Sequence, residues 1–368
     1  MVIGMKLLLS LTDQSFRATK SMGIFNVSIG LARGLMNCPG VRELHILGNN
    51  ECAESFGELK PHVHLHLCDR PVPRRLGRLW WDQVEISDVI RSIDPDWALL
   101  PKGFPPFFPR PGRTRLACYV HDVIWEYYRS IRCQDSPFPR HELLYFRSLG
   151  LRALKAADLV LTSTQFNRSR FEVYAPQVNT AVIGIGFDDE VLPPPPSLPE
   201  QERFGLLFFA SPYPHKLTAL GMRRLSAWLE QLPEADRVRI HVIGRLPAHA
   251  ELPDERWIQH ERLPFAELKL LQRRECRATV YFSAYEGFGM PPVESLRNGV
   301  VCVASDLPPI RENVPSRYLF RNGDEADFIA CLNRAWQHPQ ELELPDYPDW
   351  NAVAERAVAA MRACSPGE

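Results

Sequence analysis

Short apolar runs rich in β-branched and aromatic residues alternate with helical periodicity along almost the whole chain. In the first half the β-rich runs fall at 5–9, 43–47, 63–67, 97–100, 116–120, 159–162 and 180–183. Between them Ile24, Val27, Leu31 and Leu35 mark one face of a helix over 24–36, and similar spacing recurs at 83–92, 142–156 and 165–174. Near-continuous apolar strands separated by helices read as parallel βαβ units, because a parallel strand is covered on both faces. The run Leu192-Pro-Pro-Pro-Pro-Ser-Leu-Pro199 interrupts the alternation, since so many prolines fit neither a central strand nor a helix interior. The rhythm restarts with a strand at 205–210, a helix near 217–231 and a strand at 239–243. A helix at 265–274, a strand at 279–282, a helix opened by the proline pair Pro291-Pro292, a strand at 300–304 and a helix at 325–337 follow. A last helix from Trp350 to Met361 presents Val353, Ala357, Ala360 and Met361 on one face. The pattern predicts an α/β fold of two doubly wound, Rossmann-like domains, 1–190 and 200–345, followed by a terminal helical segment, 346–368.

Composition narrows the class without changing that picture. The 368 residues suffice for two domains, and 45% hydrophobic against 24% charged residues is a globular balance. A net charge of −1 gives no reason to expect nucleic acid as a partner. The nine cysteines (Cys38, Cys52, Cys68, Cys118, Cys133, Cys276, Cys302, Cys331 and Cys364) form no CxxC pair and read as buried reduced thiols of a cytoplasmic protein. The apolar start, Met1 to Ser10, reads as a first buried strand, and no apolar run approaches the roughly 20 residues of a membrane span.

In doubly wound sheets ligands collect beyond the carboxyl ends of the strands, so polar residues just after strands are the candidates for chemistry. His121-Asp122 follow the strand 116–120, and His121 is placed to shuttle a proton or donate a hydrogen bond to a ligand hydroxyl. Ser211-Pro-Tyr-Pro-His-Lys216 follows 205–210. Lys216 at a helix start opposes the helix dipole, which suggests an anion there, a phosphate above all. Gly244-Arg245 end the strand 239–243, and Arg245 reads as a second phosphate contact or as an ordinary loop arginine. Gly23 opens the first long helix and permits close backbone approach.

The run Tyr285-Glu-Gly-Phe-Gly-Met-Pro-Pro-Val-Glu294 carries the most information. Two carboxylates, Glu286 and Glu294, bracket a glycine-flanked turn and a proline-led helix start, which places Glu294 in the first helical turn. One reading is dipole compensation by Glu294; the other is a pair of carboxylates gripping sugar hydroxyls beside a helix N-terminus that meets a diphosphate.

This run resembles the E-x7-E signature of retaining glycosyltransferases of the GT-B fold, family 4. His121-Asp122, Ala156-Ala-Asp-Leu-Val-Leu-Thr-Ser-Thr164, Gly184-Ile-Gly-Phe-Asp188, Pro214-His-Lys216 and Val301 to Asp306 resemble further motifs of that family, in the family's order. Leu79 to Gln83 and Pro101-Lys-Gly103 resemble bacterial mannosyl- and rhamnosyltransferases of surface polysaccharide synthesis. The resemblance implies two domains facing across a cleft, with the terminal helix crossing back to the first. It implies a nucleotide-sugar donor, with Glu294 on the ribose, Glu286 on the sugar hydroxyls, and Gly287, Phe288, Gly289 and Met290 lining sugar and diphosphate. Ser211, His215, Lys216 and Arg245 fall on the donor side. Lys216 neutralises the diphosphate, while His121 and Gly23 approach the donor from the first domain. Glu286, Lys216 and His121 are then the catalytic set. The implied reaction is metal-independent and cofactor-free hexosyl transfer, with retention, to a glycan or lipid-linked oligosaccharide.

Two departures stand out. His215 occupies the place of the family's usual arginine, so it is either protonated beside the diphosphate or replaced in that duty by Arg245. The early glycine loop carries one glycine only. The stretch Arg70 to Trp81 sets arginines beside tryptophans and reads either as a peripheral membrane contact at the inner face or as a solvated loop. A phosphorylase or epimerase on the same fold, and a catalytically silent nucleotide-sugar-binding scaffold or sensor, are the competing readings.

Overall fold

The computed structural model describes residues 4–12, 14, 22–68, 80–106, 112–130, 138–188, 203–261, 263–339 and 341–364, apart from the side chains of Asp82 and Gln83. The proline run 192–199, the arginines of the 70–79 stretch and Cys133 lie outside them. The chain divides into two compact units, one comprising Met1–Val123, His141–Asp189 and Tyr347–Glu368, the other Ile124–Arg140 and Glu190–Asp346.

The first unit is built on seven parallel strands, β1 (Met5–Ser10), β2 (Val41–Gly48), β3 (Val63–Leu67), β4 (Trp97–Leu100), β5 (Arg115–Tyr119), β6 (Leu159–Thr162) and β7 (Thr180–Val182), in the order β3-β2-β1-β4-β5-β6-β7. Leu7, Leu8 and Leu9 of β1 are fully buried, as expected of a central strand covered on both faces. The helix Met22–Asn37 packs against the helix Trp350–Ala363 of the same unit. Asp349 caps the latter helix by accepting from the Ala352 N–H at 2.7 Å. Trp350, only 6% exposed, sits in a notch made by Gly30, Gly34 and Gly186. A Cβ on Gly30 would overlap the Trp350 indole ring, and one on Gly34 its backbone carbonyl. Gly30→Ala is therefore expected to destabilise this unit by roughly 1–3 kcal/mol through overpacking; a denaturation midpoint equal to that of the parent chain would refute the notch.

The second unit carries six parallel strands, β8 (Gly205–Ala210), β9 (Arg239–Gly244), β10 (Trp257–His260), β11 (Cys276–Tyr281), β12 (Val301–Ser305) and β13 (Leu319–Phe320), in the order β10-β9-β8-β11-β12-β13. The strand order reverses between β8 and β11, so the loops leaving these two strands flank the crevice in which an open parallel sheet binds ligands. Strand β10, Trp-Ile-Gln-His, is too weakly patterned and β13, two residues long, too short to be read from the sequence.

The domain reading needs one correction. Residues 124–140, placed in the first domain by sequence, group with the second unit. The cause is aromatic packing: Phe138 stacks on Tyr213 at 5.7 Å, Tyr127 lies 6.1 Å from Tyr285, and Tyr128 lies 5.8 Å from His215, ring centre to ring centre. The short helix Trp125–Ser130 that carries two of these tyrosines was also absent from the sequence reading.

Among the described residues eight cysteines are free, and six of them are buried. No described helix is long and apolar enough to cross a membrane. Of the tryptophans in the resemblance to mannosyltransferases, Trp81 is buried and Trp80 is 56% exposed.

Candidate active site

The loops after β8 and β11 meet through a closed set of hydrogen bonds. The His215 carbonyl accepts from the Ala284 N–H at 2.6 Å and from the Ser283 hydroxyl at 3.1 Å. Ser305 Oγ, just across on β12, accepts from the Ser283 N–H at 2.8 Å and donates to Asn322 Oδ1 at 2.7 Å. Asn322 Nδ2 in turn donates to the Ser283 carbonyl at 2.7 Å. Ser283 and Ser305 are fully buried. Such a satisfied buried network fixes the backbone of both loops against each other.

On that frame Lys216 and Glu286 form an ion pair. Lys216 Nζ donates to Glu286 Oε1 at 2.6 Å, and the same oxygen accepts from the Tyr281 hydroxyl at 2.6 Å. Lys216 Nζ also donates to the Tyr281 oxygen at 2.8 Å. Burial by itself would raise the Glu286 carboxyl, but the Lys216 ammonium and these hydrogen bonds override it and hold the group below its ordinary range. Glu286 is thus an anion inside the protein, with Lys216 as its counterion. Tyr281 ends β11 and was not singled out in the sequence. Burial pushes its hydroxyl well up, and the neighbouring Glu286 and Glu294 carboxylates add to that, so it acts as a donor and not as a phenolate.

Glu294 sits differently from its expected place. The helix runs Met290–Arg297, so Glu294 is its fifth residue and lies beyond the first turn. The helix starts early because Gly289 takes the left-handed N-cap conformation at φ 92°, where a Cβ would also press to 2.9 Å from Ile310. Dipole compensation therefore does not account for Glu294. Its carboxyl has no hydrogen-bond partner among the described residues, and burial raises it to about 7, with Lys269 opposing. A desolvated carboxyl with unused acceptor oxygens is a mark of a binding position. The prolines at 291 and 292 carry no N–H, so the helix start offers an anion the donors of Gly289 and Met290 but not a full first turn. Phe288 is 7% exposed and its ring belongs to the core, which leaves its backbone as the part able to face a ligand.

His215 is neutral. Burial lowers it to about 4, and the adjacent Lys216 charge pushes the same way. Its Nδ1 lies 2.6 Å from the Tyr128 hydroxyl, and Tyr213 stacks on the ring at 6.0 Å. Without a ligand an aromatic enclosure holds His215 uncharged, and Lys216 is the cation of this loop; protonation beside a diphosphate, one of the two sequence readings, concerns the bound state. Arg245, at the end of β9, is 62% exposed and lies 4.0 Å from Glu261. Ser211 Oγ accepts from the Tyr213 N–H at 3.3 Å, which shapes the same loop.

His121 and Gly23 belong to the first unit. His121 Nε2 donates to the Pro101 carbonyl at 2.8 Å, and the His121 carbonyl accepts from Asn167 Nδ2 at 2.8 Å. Burial lowers the imidazole to about 4. With Nε2–H committed, the neutral ring offers Nδ1 as an acceptor, so a donated hydrogen bond is not what this state provides. Gly23 lies in the first turn of the helix Met22–Asn37.

Residues 221–346 match the family described as Glycosyl transferases group 1. The chain is 27% identical over 237 residues to the O-antigen chain mannosyltransferase RfbU of Salmonella typhimurium, covering 61% of each. It is 26% identical over 250 residues to the O-antigen chain mannosyltransferase B of Escherichia coli, covering 61% of this chain and 62% of that one. It thus spans about three fifths of the length of these curated relatives. The apo lipopolysaccharide outer core galactosyltransferase WaaB shares the fold, with a TM-score of 0.60 over 97% of this chain and 99% of that one at 15% identity. Over residues 221–346 the chain is similar to group 1 glycosyl transferases, its two Rossmann-like parallel sheets share the GT-B fold, and it is similar to O-antigen chain mannosyltransferases.

Proposed function

We propose that the protein transfers a hexose from a nucleoside-diphosphate sugar to a glycan or lipid-linked oligosaccharide during assembly of an O-antigen-type polysaccharide. The observation that carries this reading is the Lys216–Glu286 ion pair, held by Tyr281 where the strand order reverses, with the desolvated Glu294 on the adjoining helix. Glu294 takes the ribose hydroxyls and Glu286 those of the sugar. Lys216 moves its charge onto the diphosphate, where negative charge grows as the bond to the anomeric carbon breaks. The acceptor hydroxyl attacks from the face the diphosphate leaves, so configuration is retained, and its proton passes to the departing phosphate oxygen. Lysine and backbone N–H groups meet the leaving charge, and the reaction needs no metal and no cofactor. His121 contributes an acceptor, Nδ1, for a ligand hydroxyl. The similarity to O-antigen chain mannosyltransferases favours mannose as the sugar; rhamnose or a related deoxyhexose, and GDP or dTDP as its carrier, rest on the sequence resemblance alone. The similarity also supports work at the cytoplasmic face of the membrane, where lipid-linked acceptors are extended.

The neutral His215 favours a second reading, a nucleotide-sugar-binding scaffold without turnover, because one cation then serves the diphosphate alone. One experiment separates the two. The purified protein is incubated with GDP-, dTDP- and UDP-sugars and a lipid-linked acceptor, with and without EDTA, and the product anomer is read by NMR. Transfer from one donor class, unaltered by EDTA and with the donor's anomeric configuration, is the expected result. Binding of a donor without transfer would establish the scaffold, and inverted product would overturn the front-face reaction.

A further inference from the structure

Far along the chain from this machinery, strand β3 reads Val-His-Leu-His-Leu, which puts His64 and His66 on one face. Parallel pairing with β2 sets His45 in register with His64, and Glu43, two residues before His45, shares that face. Glu43 Oε1 lies 2.8 Å from His45 Nε2 and 3.9 Å from His64 Nε2. One ligand atom from each of the three residues lies within 4.8 Å of the other two. On the other side of the His45 ring, Nδ1 is 2.8 Å from His66 Nε2. The His45 ring stacks on those of His64 and His66, at 4.9 and 5.1 Å between centres.

We propose that Glu43, His45 and His64 bind a divalent transition-metal cation, zinc foremost, with His66 as the outer partner that orients the His45 ring. Two imidazole nitrogens and one carboxylate oxygen are a zinc-type donor set, with water as the fourth ligand. A metal-bound histidine characteristically engages a partner through its second nitrogen, and His45 already has one at Nδ1. Tetrahedral bonds of about 2.0–2.2 Å require the ligand atoms to draw to about 3.3 Å apart. The His64 side chain, 47% exposed, is free to make that small swing. Hydrogen bonding alone accounts for His45 between Glu43 and His66, but it gives no role to His64 at 3.9 Å. The Lys6 ammonium, 3.6 Å from Glu43 Oε1, competes with a cation for the carboxylate. Because β2 and β3 are the outermost pair at that margin of the seven-stranded sheet, the ion would staple an edge strand to its neighbour.

The test uses the full, untagged chain stripped with a chelator. Zn²⁺ is titrated in competition with a chromophoric chelator, and Co²⁺ is added as a spectroscopic probe of coordination. We expect one equivalent of tight binding, a tetrahedral Co²⁺ spectrum and a zinc-dependent rise in melting temperature. His64→Ala should abolish tight binding, and His66→Ala should weaken it about 10–100-fold. Lys6→Met should tighten it, while His141→Ala and His260→Ala leave it unchanged. Because His64 is half-exposed, its variant should fold, as circular dichroism will verify. Failure to bind one equivalent, or binding indifferent to His64→Ala, would overturn the site.

Discussion

Glu294→Gln is expected to make the ligand-free protein more stable above pH 7 and to abolish binding of the nucleotide sugar. Burial holds the Glu294 carboxyl at about 7, against 4.5 for an ordinary glutamate. A carboxyl whose value is raised on folding costs nothing while both states are protonated. The cost begins as pH passes the unfolded value near 4.5 and is complete above the folded value near 7. At pH 8 the parent chain therefore bears a penalty on the order of 3 kcal/mol that glutamine, isosteric and uncharged, removes. At pH 4.5 the two proteins should unfold together. The same substitution takes away the anionic acceptor proposed for the ribose, and hydrogen bonds to a charged partner contribute about 1.5–3 kcal/mol each. Urea unfolding at pH 4.5 and pH 8, with calorimetric titration of the nucleoside diphosphate, reads both effects. Equal stabilities at pH 8, or an undiminished affinity, would remove Glu294 from the role given to it.

Lys216→Ala is expected to lower kcat/KM by about 10²–10³-fold, the usual loss when one donor to a developing charge is deleted. The fold should survive, because Lys216 is 26% exposed and the network through Ser283, Ser305 and Asn322 does not involve its side chain. Glu286 would keep the Tyr281 hydroxyl but lose the ammonium that opposes its burial, so its carboxyl should titrate at higher pH. The acid limb of the rate profile should move upward with it. A simple loss of packing would not move that limb. Lys216→Arg should not restore the rate, because a planar fork replaces a point charge seated between two oxygens 2.6 and 2.8 Å away. Activity within threefold of the parent chain would sink the assignment.

What the sequence made legible follows the strength of each local signal. Helices 165–174 and 325–337 are found at the expected bounds, and the last helix starts where it was placed, at Trp350. Thr164, Asp324 and Asp349 each cap one of these helices by accepting from a first-turn N–H. The glutamate pair was visible because proline and glycine punctuate the loop between its members. Tyr281 was not visible, since an aromatic at a strand end is ordinary and only the fold brings its hydroxyl to Glu286. The membership of residues 124–140 was equally hidden, because it depends on Phe138, Tyr128 and Tyr127 meeting Tyr213, His215 and Tyr285 across long sequence distances. The charge state of His215 followed from that enclosure and had no local signature.

The seat of Trp350 among Gly30, Gly34 and Gly186 has a consequence for how the chain is made. The first unit takes its closing helix from residues that leave the ribosome after the whole second unit has been synthesised. Until then the glycine notch on the first long helix stands open to water. Folding of this unit thus waits in its last step for synthesis of the second unit and is of high contact order, which slows it and prolongs exposure of apolar surface.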